Sequence, residues 1–95
     1  SQLHKARVAT DWANLRAYYA EIQADFISTG EYNDKVPYGT KDPTNPMRNE
    51  ITFLNGQKVK MQEGFFWVQE VTGKKGYTIA YYCNNKHPEC VLILE

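Results

Sequence analysis

The sequence predicts an α+β domain: a long N-terminal helix packed on an antiparallel sheet of four to five strands. Three observations carry this. Apolar residues recur with helical spacing from Val8 to Phe26. The period then changes to two after Glu50. Between the two regimes lies a proline-bearing stretch with no regular pattern. The expected boundaries are a helix over about 3–29, a loop over 30–49 and a meander over 50–95.

The helix comes first. Val8, Trp12, Leu15, Tyr19, Ile22 and Phe26 are spaced 4, 3, 4, 3, 4. At about 100° per residue they share one line and predict the face that meets the sheet. Gly30 is placed to stop the helix in the left-handed conformation. Ala6, Ala9, Ala13, Ala17, Ala20 and Ala24 form a second line. Alanine is the best helix former, so that line has a local explanation, but it also makes a smooth side on which another helix can approach closely. Arg7, Asp11, Asn14, Glu21 and Asp25 are read as a polar sector.

The connection EYNDKVPYGTKDPTNPMRN holds Pro37, Pro43 and Pro46. Its Asp34, Asp42 and Asn45 carry oxygen ligands for calcium, but their spacing matches no EF-hand loop. EITFL, Asn55-Gly56 and QKVKMQ then read as a hairpin on a type I′ turn. FFWVQEVT, the turn Gly73-Lys74-Lys75-Gly76, GYTIAYYC with Tyr77, Ile79 and Tyr81 on one side, and VLILE complete the meander.

Composition narrows the function. Eleven Lys+Arg balance eleven Asp+Glu, without the basic excess of a nucleic-acid binder. No apolar run reaches membrane-spanning length. The chain opens already inside its helical pattern, which predicts more helix ahead of Ser1. No catalytic constellation is legible: His4 and His87 are the only histidines, and Glu63, Glu70 and Glu89 read as solvated charges. The expectation is a non-enzymatic chain with no cofactor, metal or small-molecule substrate.

Cys83 and Cys90 bracket CNNKHPEC. A close pair with no other cysteine fits a local disulfide in an oxidising compartment. It would close a short loop and contribute roughly 2–2.5 kcal/mol. Two thiols, or a metal set of Cys83, His87, Cys90 and a fourth ligand such as His4, are the other readings.

Two resemblances bear on function. QEVTG, residues 69–73, fits the Gln-x-Val-x-Gly hairpin of cystatin-type protease inhibitors, which gives the alternative reading of a secreted inhibitor or small binding module. The chain as a whole resembles the soluble part of a type IV pilin-like protein or pseudopilin. KARVATDWANLRAYYAEIQADFISTGEYN is similar to the trailing half of that family's helix, and Cys83 and Cys90 match its terminal cysteine pair. The resemblance implies an apolar half-helix ahead of Ser1, a leader removed by a peptidase, and a methylated N-terminus in the full-length protein. It further implies membrane anchorage before assembly, a cell-surface or secreted location, and other pilin subunits as partners in a helical filament. The alanine line is then the candidate assembly face.

Overall fold

A computed structural model describes residues 2–38, 47–84 and 87–95. Asp42 and Asn45, two of the three oxygen-bearing residues considered for calcium, lie outside them. Helix α1 runs Gln2–Thr29 and ends where expected, with Gly30 at φ 73° and its N–H donating to the Phe26 carbonyl at 2.7 Å. Strands β1 (Glu50–Thr52) and β2 (Lys58–Lys60) form one antiparallel hairpin. Strands β3 (Gly64–Glu70), β4 (Tyr77–Cys83) and β5 (Leu92–Leu94) form a second antiparallel sheet with β4 in the middle. A 3₁₀ turn, Pro88–Cys90, leads into β5. The α+β class is as expected, but the strands split into sheets of two and three.

The split has a cause in the backbone. Between β2 and β3 the N–H groups of Gln62 and Glu63 donate to the Asp11 carboxylate on α1, not to a neighbouring strand. Arg48 instead lies beside β3, exchanging both backbone hydrogen bonds with Phe66 at 2.7 and 2.8 Å. The first hairpin also departs from the type I′ expectation. The Gly56 N–H closes onto the Phe53 carbonyl at 2.8 Å, and Gly56 alone in that turn has a positive φ. This fits a three-residue loop with glycine at its left-handed position.

Helix α1 packs on β4 and β5. Its buried residues are Val8, Asp11, Leu15, Tyr18, Ile22 and Phe26. Trp12 and Tyr19, expected in the core, sit at its edge, partly buried. On a helical projection the buried line is turned by about 30° from the expected one, which brings in Asp11 and Tyr18. From the sheet, Phe66, Val68, Tyr77, Ile79, Tyr81 and Leu92 face the helix. On the opposite side Trp67 stacks with Tyr82 at 5.3 Å between ring centroids.

Polar side chains of α1 tie the helix to the strands. The Leu54 N–H donates to Glu21 Oε1 at 2.6 Å, and the Tyr77 N–H to Gln23 Oε1 at 2.7 Å. At the far end Tyr32 packs against Phe26, Tyr38 and Tyr77, and its hydroxyl, with one proton to share, lies 3.1 Å from both the Val71 and Gly76 carbonyl oxygens.

Candidate functional site

The polar contacts that matter most lie where the first turns of α1 cross the end of the larger sheet. Antiparallel pairing sets Gly64 opposite Cys83, so Glu63 arrives beside the end of β4. The Asn84 N–H donates to the Glu63 carbonyl at 2.8 Å and fixes that corner. The 3₁₀ turn then carries Cys90 back under α1, where Trp12 Nε1 donates to its carbonyl at 3.2 Å.

Asp11 anchors the corner. It is fully buried and accepts three hydrogen bonds: from Gln62 N–H at 2.7 Å, Glu63 N–H at 2.9 Å and the Tyr81 hydroxyl at 2.7 Å. These donors compensate the loss of hydration that a buried carboxylate suffers. Tyr81 is pushed well above the usual phenol range, first by burial and then by its bond to Asp11.

A second carboxylate acts one residue further on. His4 Nδ1 lies 3.0 Å from Glu63 Oε2, and Arg7 Nη1 donates to Glu63 Oε1 at 3.3 Å. The hydrogen bonds from His4 and then Arg7 hold Glu63 below its ordinary value. Glu63 is therefore a carboxylate at neutral pH and only accepts, so Nδ1 carries the proton it shares. That tautomer, assigned from the hydrogen-bond network, leaves Nε2 of a neutral imidazole as an acceptor. Nε2 lies 3.4 Å from Cys90 Sγ.

Cys83 and Cys90 are both buried. The expected disulfide is not formed in this structure: the pair stands as two thiols, 2.7 Å apart. Burial, and next the contact with Cys83, pushes the Cys90 thiol up to about 12. Beside Cys90 a cleft of about 430 Å³ is lined by His4, Val8, Trp12, His87 and Glu89 among others. The His87 ring centroid is 5.9 Å from that of His4.

Three chemistries fit such a cluster in outline: a metal site, a thiol nucleophile and a disulfide. His4, Cys83 and Cys90 place their ligand atoms within 4.8 Å of one another, the donor set of a thiophilic metal site. Two thiolates on one tetrahedral zinc, however, stand about 3.8 Å apart at bond lengths of about 2.3 Å. The sulfurs here are much closer than that, nearer to a bonded pair at about 2.05 Å. Cys90, His4 and Glu63 also line up as nucleophile, base and orienting group. Cys90 lines the cleft, but a second thiol stands against it, placed to displace any group that Cys90 takes up rather than leave it for turnover.

From the sequence, His4 is only a possible fourth ligand, Asp11 part of a polar helix sector and Glu63 a solvated charge. The structure puts both carboxylates at the centre of the corner. His87, the other histidine, is exposed on the cleft rim and pairs with Glu89 at 3.9 Å. Of QEVTG, Gln69 and Glu70 end β3 and Val71, Thr72 and Gly73 enter the turn to β4. All six alanines of the second helical line are exposed. No protein-family model, curated protein or solved structure matches the chain.

Proposed function

We propose that this chain is the globular domain of a non-enzymatic filament subunit of the type IV pilin or pseudopilin kind, working at the cell surface or in secretion. The observation that carries the reading is the division of α1 into two opposite faces. One is committed to the sheets through Val8, Leu15, Tyr18, Ile22 and Phe26. The other, about half a turn away on a helical projection, is the exposed line Ala6, Ala9, Ala13, Ala17, Ala20 and Ala24. Leu3, 58 % exposed, and Ile27, 77 % exposed, flank its two ends.

A long helix with one bulky side seated and one smooth side open suits stacking of copies about a common axis. Each copy then offers one surface to the copy ahead and another to the copy behind, and such contacts propagate without closing. Among the described residues no helix is long and apolar enough to cross a membrane. By its resemblance to that family, the reading carries a membrane anchor in an apolar helical segment outside these residues. Export to the cell surface also brings Cys83 and Cys90 into an oxidising compartment, the setting in which disulfides form.

The test is to shear cells that express the full-length gene and label the sheared material with antibody against this domain. The reading expects sedimentable filaments decorated along their length. Recovery of the chain only as a monomer in the medium or the cytoplasm overturns it.

A further inference from the structure

Closing the Cys83–Cys90 pair by thiol–disulfide exchange requires a thiolate to attack first. With the Cys90 thiol held above its ordinary range, first by burial and next by Cys83, few molecules carry that thiolate unaided at neutral pH. A base within reach of the sulfur removes this limit, and one is present. His4 Nε2 stands 3.4 Å from Cys90 Sγ, with Nδ1 fixed by Glu63 at 3.0 Å and Glu63 in turn held by Arg7. We propose that His4 is the proton acceptor that activates Cys90 for disulfide closure with Cys83, and that Glu63 is its positioning residue.

Nε2 takes the S–H proton of Cys90. The thiolate attacks one sulfur of an external disulfide that reaches it through the cleft, and the expelled thiolate takes the proton back from the imidazolium. Cys83, 2.7 Å from Cys90, then gives its proton to the imidazole, neutral again after the first exchange and within 4.8 Å, and attacks the Cys90 sulfur of the mixed disulfide. The second external thiolate leaves and is protonated. Two cysteine thiols are oxidised to one disulfide, and one external disulfide is reduced to two thiols.

The groups facing His4 come from three directions. Glu63 and Arg7 lie on its Nδ1 side, Cys90 with Cys83 behind it on its Nε2 side, and His87, Glu89 and Lys5 around the cleft. Because the base sits on the first turn of α1 and the thiols on the last hairpin, it reaches them only when the helix is docked. Closure is thereby favoured in the correctly folded domain over the open chain. The inference rests on the disulfide reading and is independent of the filament reading.

The test follows oxidation of the reduced protein by oxidised glutathione, quenched by alkylation and read by mass. Wild type, His4→Gln and Glu63→Gln are compared after circular dichroism has shown each to be folded; His4→Phe replaces His4→Gln if the latter is not. At neutral pH the His4 variant should close at least about tenfold more slowly, within the range of a lost general base, and Glu63→Gln should fall between the two. The gap should narrow as pH rises, because hydroxide then competes with His4 for the thiol proton, and vanish in denaturant. Wild-type speed in the His4 variant at neutral pH overturns the role of His4, and so does an equal slowing in denaturant. Stoichiometric zinc retained by the reduced protein after desalting also overturns it. Two titratable thiols in wild type after excess oxidant would sink the disulfide reading itself and leave the filament reading standing.

Discussion

Asp11→Ala should destabilise the isolated domain by about 3 kcal/mol or more. The substitution removes the acceptor for two backbone N–H groups and the Tyr81 hydroxyl, all at 2.7–2.9 Å around a fully buried carboxylate. Three buried donors are then stranded. Each buried donor left unsatisfied costs about 1–3 kcal/mol, so the three together cost about 3 kcal/mol or more. A domain of this length holds only about 5–14 kcal/mol in total at typical per-residue values. Asp11→Asn keeps one acceptor oxygen but turns an NH₂ towards a donor, so it should lose less. Tyr81→Phe strands no donor and should cost about 1–2 kcal/mol. Denaturant titration followed by circular dichroism ranks the three. An Asp11→Ala domain as stable as wild type would mean that the corner is held by something other than this carboxylate.

Gly64→Ala is the second large loss. A methyl carbon at that position would stand 2.6 Å from both Cζ and Oη of Tyr81 and would run into the Tyr82 carbonyl oxygen. None of these neighbours can yield cheaply. The Tyr82 carbonyl belongs to the central strand β4, and Tyr81 is fully buried with its hydroxyl bound to Asp11. Strand β3 must move away from β4, or Tyr81 must leave Asp11. Overpacking of a well-filled core costs about 1–3 kcal/mol, and a backbone clash between paired strands puts this case at about 3 kcal/mol or more. The same titration reads it. Since both substitutions strain the Tyr81–Asp11 bond, the double variant should lose less than the sum of the single losses. A Gly64→Ala protein with wild-type stability would contradict the close packing of β3 on β4.

Much of this architecture is written locally. The 3.6 spacing and Gly30 give α1 its length, and the alternation of Tyr77, Ile79 and Tyr81 gives β4 its buried face. The rotation of α1 was not so plain. Val8, Leu15 and Ile22 lie on two competing lines, one completed by Trp12 and Tyr19, the other by Asp11 and Tyr18. Hydrophobicity alone favours the first, because nothing local shows that an aspartate will find three donors. Those donors come from residues 51, 52 and 70 positions further along the chain. The same carboxylate diverts the Gln62 and Glu63 N–H groups from strand pairing, so the expected single meander becomes two sheets. The His4–Cys90 contact spans 86 positions and joins the two ends of the chain, which no motif spacing reports. The cysteine pair was visible; the histidine and carboxylate that attend it depend on topology.

The central claim is that the alanine side of α1 faces other copies of the chain in a filament. The direct measurement replaces Ala17, exposed in the middle of that line, with a photo-crosslinking amino acid in the full-length protein in its own cells. After irradiation the account predicts a ladder of crosslinked multimers of this chain in the sheared surface fraction. A residue at position 17 that never captures a second copy, while the chain is present in that fraction, contradicts it.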